Sequence, residues 1–233
     1  MKTRVLMIVT SHARLGDSGK PTGLWAEELA VPYYALVDAG ATVTLASPAG
    51  GAAPIDPGSV KPAGGNDPAV ERLLKDATLQ GALADTRRVS ESDGADFDAL
   101  FFPGGHGTMW DLPVDLGVTR AVERAFANGR WIAAVCHGPA GLVSARRPDG
   151  LPVVSGLRVN SFTNAEETAV GLDAIVPFLL ETRLRELGGR FESADSWRPF
   201  AVRDGRLITG QNPQSSERVA RALLEALDLA GTR

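Results

Sequence analysis

Residues Trp131 to Val135 form an unbroken apolar run that ends at Cys136, the only cysteine, and Gly138 and Pro139 follow at once. A short run with no polar alternation reads as a parallel strand covered on both faces, and a parallel strand needs a crossover helix to return the chain. Similar runs occupy Arg4 to Thr10, Ala41 to Ser47 and Phe97 to Pro103. Between them lie segments of helical periodicity: Thr22 to Ala39, with Thr22 as N-cap and Pro32 as a kink or a lost hydrogen bond; Asp67 to Leu83; and Asp115 to Asn128. This alternation predicts an α/β chain built on a mostly parallel sheet with helices on both faces, entered through a right-handed βαβ unit. Pro152 to Phe162 reads as a further strand, Phe178 to Leu187 as a helix, and Arg190 to Ser193 with Phe200 to Thr209 as a small additional hairpin turning at Asp204-Gly205. A last helix, capped by Ser215 or Ser216, runs to about Leu229, and no break divides residues 1–233 into two domains.

The net charge of −4, with no basic stripe, gives no footprint for nucleic acid or for an anionic membrane surface. No stretch approaches the ~20 apolar residues of a membrane span. One cysteine excludes an internal disulfide, and a cytoplasmic location is the expectation.

The chain must reverse at Cys136, which places this side chain at the carboxyl edge of the sheet among the N–H groups of the following turn. Such an elbow lowers a thiol below its usual ~8.5 and favours the thiolate. A second anomaly is Glu28. At about 100° per residue, Leu24, Trp25, Leu29, Ala35, Leu36 and Ala39 define an apolar sector, and Glu28 projects near its middle. An interior carboxylate is costly unless paired, protonated or lining a cleft, so Glu28 is a site candidate and Glu27 a solvated neighbour. The turn Gly104-Gly105-His106-Gly107 leaves a strand at the same sheet edge, where its amides would face Cys136 as an oxyanion hole. Thr163 and Glu166 carry the spacing of a capping box, which leaves Glu167 as the acid to orient His137.

Ala134 to Pro139 (Ala-Val-Cys-His-Gly-Pro), preceded by Pro-Gly-Gly-His-Gly at 103–107, resembles the ThiJ/PfpI superfamily of class I glutamine amidotransferase-like proteins. Thr22 to Glu28, Phe162 to Thr168 and Asp204 to Pro213 make the chain most similar to its short heat-shock glyoxalase III-type subgroup. The resemblance implies a flavodoxin-like, doubly wound fold, usually dimeric. It implies Cys136 as nucleophile, Glu28 as the buried acid beside it, and His137 with Glu167 completing the set, Glu166 remaining an alternative to Glu167. The oxyanion hole would be Gly105 with His137, and the substrate would meet Gly104, His106 and Trp25. The implied reaction is glutathione-independent conversion of methylglyoxal or a related 2-oxoaldehyde to a 2-hydroxy acid such as lactate, with no cofactor. No metal is expected either, because His12 and His106 lie in loops without the two-histidine, one-carboxylate arrangement of longer relatives. Two other uses of the same elbow are a holdase or redox sensor with an oxidisable Cys136, and a cysteine amidase or peptidase.

Overall fold

The computed structural model describes residues 2–229, so residue 1 and residues 230–233 of the expected domain lie outside the described residues. Among the described residues there are nine strands: β1 Arg4–Ile8, β2 Thr42–Ser47, β3 Arg87–Arg88, β4 Ala99–Phe102, β5 Trp131–Val135, β6 Arg158–Val159, β7 Arg190–Phe191, β8 Ala201–Asp204 and β9 Leu207–Gly210. Seven of them make one sheet in the order β3-β2-β1-β4-β5-β9-β8, parallel except for β8, which pairs antiparallel with β9 across the expected turn; this hairpin is part of the main sheet, and Arg190–Phe191, expected with it, pairs with β6 instead. The helices are α1 Ala26–Asp38, α2 Pro68–Leu73, α3 Ala77–Ala84, α4 Thr108–Asp111, α5 Leu116–Ala127, α6 Asn164–Ala169, α7 Leu180–Glu186 and α8 Ser216–Ala226. This is the doubly wound, flavodoxin-like arrangement. None of these helices is long and apolar enough to cross a membrane.

The aliphatic runs become central strands because both of their faces are covered. Val5, Met7, Ala99, Phe101, Ala133 and Val135 point into one apolar cluster, and Leu6, Ile8, Leu100, Phe102, Ile132 and Ala134 into the other. The first cluster is closed by Leu29 and Leu36 of α1 and by Val219 and Leu223 of α8; the second by Val118 and Val122 of α5 and by Leu180 and Leu184 of α7. Each fully buried Leu, Val or Phe contributes about 1.5–3 kcal/mol, so a one-residue slip of β1, β4 or β5 would exchange the contents of both layers. The chain moves outward from β1 to β2 and β3, then returns to lay β4, β5 and β9 on the other side. Strand order therefore reverses between β1 and β4, and the carboxyl ends of the neighbouring strands open the crevice where such folds place their chemistry.

Several local expectations are corrected. Thr22 does not cap α1; its hydroxyl donates to Asp56 Oδ2 at 2.8 Å, and the helix begins at Ala26 after an extended Trp25. α1 runs through Pro32 without interruption, at the expense of the hydrogen bond that the missing N–H would have made. The helix foreseen over Asp67 to Leu83 is two, because Asp76 accepts from the N–H groups of Thr78 and Leu79 and starts a new one. Of Pro152 to Phe162 only Arg158–Val159 is a strand, and it pairs in parallel with β7 outside the main sheet. Neither Ser215 nor Ser216 caps α8: their hydroxyls go to Asn212 Oδ1 and to the Pro213 carbonyl. The capping box of α6 is present as expected, with Thr163 and Glu166 bonded reciprocally.

Candidate active site

Cys136 stands at the end of β5 with φ of 59°, a left-handed conformation that few non-glycine residues adopt. The strain is held on both sides: its N–H donates to the Gly210 carbonyl and its carbonyl accepts from Phe162 N–H, both at 2.9 Å. A Cβ at Gly138 would lie 2.1 Å from the Phe102 carbonyl, so only glycine lets the next turn pack against β4. Pro139 then opens a 3-10 turn over Gly138–Leu142.

α1 brings Glu28 to the same edge, with no solvent exposure. Its Oε2 accepts the Gly104 N–H at 2.7 Å, while Oε1 has no partner of good geometry among the described residues. Burial raises the Glu28 carboxyl well above its usual range, against the opposing pull of the nearby Cys136 thiol and the Gly104 N–H.

His137, 1 % exposed, lies between the sulfur and a second acid. Its Nδ1 is 3.2 Å from Cys136 Sγ, and its Nε2 is 2.7 Å from Glu167 Oε2. The other oxygen of Glu167 is 2.7 Å from His106 Nε2, and the two imidazoles lie 4.1 Å apart, centroid to centroid. Burial alone would raise Glu167, but the two histidines outweigh it and bring the carboxyl to about 2. An ionised carboxylate only accepts, so both Nε2 atoms carry protons. The lone pair of His137 Nδ1 therefore faces the sulfur. Burial, and after it the neighbouring His106, lower His137 and favour the neutral ring that such a base requires.

The sulfur itself departs from the expectation. Cys136 is 4 % exposed, and burial followed by the charges of Glu28 and Glu167 pushes the thiol up rather than down; the opposing N–H of His137 is the weaker influence. The elbow thus presents a thiol with a base beside it, not a standing thiolate.

A cavity of about 270 Å³ opens onto Cys136, His137, Gly105 and His106, with Trp25, Phe162 and Trp197 among its walls. Gly105 has φ of 99°, and its N–H makes no hydrogen bond with any of the described residues. Gly104 does not line the cavity, contrary to its expected contact with substrate. It is packed behind the site, where a Cβ would lie 2.5 Å from Glu28 Oε2 and 2.6 Å from His137 N. Glu27 does line it, and its carboxyl is raised by burial and then by Asp67, with Lys61 opposing. Helical projection placed Glu27 outside the apolar sector, as it is, but that side faces the cavity under the loop that includes Lys61. Trp197 was also missed: it has φ of 65° and no local signal, and it is held there by its N–H donating to Glu166 Oε1 at 2.8 Å. Glu166 further accepts from Gln211, Asn212 and Thr163 and contacts neither histidine, so the geometry selects Glu167 as the partner of His137.

One nitrogen of His106, one of His137 and an oxygen of Glu167 lie within 4.8 Å of one another, a two-histidine, one-carboxylate group that was not expected. Both Glu167 oxygens are already engaged by imidazoles at 2.7 Å, so a cation would have to displace the relay that orients His137. His12 takes no part and stacks on Trp110 at 5.2 Å.

Residues 22–226 match the model of the DJ-1/PfpI family. Over 97% of its length the chain is 30% identical to "Glyoxalase 3" of Candida albicans, covering 98% of that protein. A glutathione-independent glyoxalase of Schizosaccharomyces pombe is also 30% identical, with 95% of each chain covered. Among solved structures, the rapid encystment protein of Francisella tularensis superposes with a TM-score of 0.92 at 37% identity, covering 97% of this chain and 99% of that one. Glyoxalase III of Candida albicans superposes with a TM-score of 0.88 at 28% identity, over 96% and 97% of the two chains. With a matched stretch that runs from the approach to α1 to the end of α8, the chain belongs to the DJ-1/PfpI family.

Proposed function

We propose that this chain is a glutathione-independent glyoxalase that converts methylglyoxal or a related 2-oxoaldehyde to the 2-hydroxy acid. The observation that carries the reading is the relay Cys136–His137–Glu167, with the buried acid Glu28 behind the sulfur, its carboxyl raised by burial, opening on a cavity large enough for a small carbonyl. Full-length relatives that bear the name glyoxalase support it.

In this mechanism His137 Nδ1 takes the thiol proton, and Glu28 donates to the sulfur so that the thiolate is not left bare in a dry site. The thiolate adds to the aldehyde carbon, and the N–H groups of Gly105 and His137 hold the developing oxyanion. His137 gives its proton to that oxygen, then takes the proton from the former aldehyde carbon and delivers it to the neighbouring former ketone carbon. The first carbon is thereby oxidised to a thioester and the second reduced to an alcohol, so no external redox partner enters. Water cleaves the thioester, releases lactate and restores the thiol. His106, through Glu167, holds the relay in the productive tautomer, and Trp25 and Trp197 wall the substrate. A homodimer and a cytoplasmic location belong to the same reading.

The test is purified protein with methylglyoxal and no glutathione. Lactate should form, and should fall by about a thousandfold or more in Cys136→Ala and at least tenfold in Glu28→Gln. A wild-type protein that makes no lactate, or a Cys136→Ala protein that makes it undiminished, rejects the reading.

A further inference from the structure

A second cavity, also of about 270 Å³, lies at the opposite end of β5 from Cys136, under the turns that contain Arg130 and Gly205. Its floor is apolar, with Ile132, Leu142, Val153 and Leu207 all buried, and Phe126 and Leu157 complete the wall. The rim is cationic. Arg130, Arg147 and Arg206 line it, against one acid, Asp204.

The acid is already answered, and the cations are not. Asp204 Oδ2 accepts from the Arg158 N–H at 2.9 Å and from Arg190 at 3.1 Å, and these contacts hold it ionised and engaged away from the cavity's own arginines. Arg206 makes neither a hydrogen bond nor an ion pair through its guanidinium with any described residue; it rests over the Trp131 ring at 4.8 Å. Arg130 has one long ion pair, 3.6 Å to Asp98. Arg147 spends its Nε and one terminal nitrogen on the Val153 and Ser155 carbonyls and lies over Phe126 at 5.3 Å. Guanidinium groups offer a planar fork suited to a carboxylate, and two of the three here have donors to spare. The guanidinium of Arg206 rests over Trp131 and that of Arg147 over Phe126, while the buried Nε of Arg130 has no hydrogen-bond partner among the described residues.

An apolar floor under an unanswered cationic rim selects for an apolar body carrying one anionic head. The volume lies just below the ~300–1,000 Å³ of sites for drug-sized ligands, so the body is small. We propose that this cavity binds a medium-chain monocarboxylate, the chain lying on Ile132, Leu142 and Val153 and the carboxylate meeting Arg206 and Arg130. The site is separate from the Cys136 cavity and stands whether or not the chain is a glyoxalase.

The probe is sodium octanoate, titrated into the full-length protein carrying labelled methyl groups, with octanol and octylamine as controls. Octanoate should saturate, shift the methyls of Ile132, Leu142 and Val153, and weaken as salt screens the rim. Octanol and octylamine should bind about tenfold more weakly or worse, and Arg130→Gln with Arg206→Gln should cost octanoate a similar factor. Arg206 is exposed and Arg130 half-buried, and an unchanged thermal melt confirms that the double variant is folded. Where that variant unfolds, Leu157→Trp, which fills the cavity from its half-exposed wall, should abolish the shifts instead. Octanoate that fails to saturate overturns the proposal. So do octylamine binding as tightly, methyl shifts confined to Val70 and Val170 of the Cys136 cavity, and affinity unchanged in a folded variant.

Discussion

Replacing Glu167 by Gln removes one charge from a side chain that is 3 % exposed and receives two imidazole N–H groups at 2.7 Å. The folded carboxyl sits at about 2 against 4.5 for the free group, worth at most about 3 kcal/mol, because the charge of His137, the largest lowering influence, is absent while that ring is neutral. Because the folded value is the lower one, this stabilisation is complete above pH 4.5 and is lost as pH falls from 4.5 toward 2. Glu167→Gln should therefore be less stable than wild type by on the order of 1–3 kcal/mol at pH 7, or roughly 2–12 °C in Tm for a chain of this size, with the gap closing below pH 4.5. The activity consequence follows from the donors. A glutamine amide offers one oxygen and one NH₂, so one imidazole must turn its Nε2 into an acceptor and move its proton to Nδ1. On His137 that proton would point at the sulfur and leave no base. The loss in kcat should approach the ~10⁴ that a wrong-tautomer histidine produces in a serine-protease triad. Thermal melts at pH 7 and pH 3, with lactate formation at saturating methylglyoxal, read both effects. A Tm within about 2 °C of wild type at pH 7, or a kcat within about tenfold, refutes the account of Glu167.

Two further outcomes follow from the buried acid and its glycine. Glu28 is raised by burial, so it favours the folded state at low pH, and that contribution declines as pH rises above 4.5. Glu28→Gln should thus gain on the order of 1 kcal/mol over wild type at pH 8, about 2–4 °C in Tm, while losing activity; equal pH dependence of the two melts contradicts this. Gly104→Ala would put a Cβ 2.5 Å from Glu28 Oε2, 2.6 Å from His137 N and 2.7 Å from the Val135 carbonyl. Two of these are backbone atoms that cannot retreat, so a urea melt should show a loss of about 1–3 kcal/mol with activity falling alongside, and a neutral substitution would show that the packing is looser than described.

What could be read from the sequence was what depends on neighbours along the chain. Trp131 to Val135 announced a central strand because nothing polar interrupts it, and Glu28 declared itself because a helix converts sequence spacing into direction. Thr163 and Glu166 announced their capping box for the same reason. The remainder depends on partners far away in sequence. Arg87–Arg88 has no apolar pattern, yet it forms an edge strand because β2 offers it free backbone groups. Trp197 reaches the cavity only because Glu166, from another element, holds its N–H. The choice of Glu167 over Glu166 required seeing that Gln211 and Asn212 occupy the latter. The direction of the Cys136 thiol was misjudged because the elbow's amides are visible in sequence, whereas the depth of burial that opposes them is not.

The central claim is that the sulfur of Cys136 becomes covalently bonded to the substrate and carries it through an internal oxidation and reduction. Rapid acid quench during methylglyoxal turnover, followed by peptide mass spectrometry, looks for that bond. A lactoyl thioester should appear on the peptide containing Cys136, at a rate that matches or exceeds lactate release. Turnover at full rate with Cys136 unmodified at every quench time would contradict it.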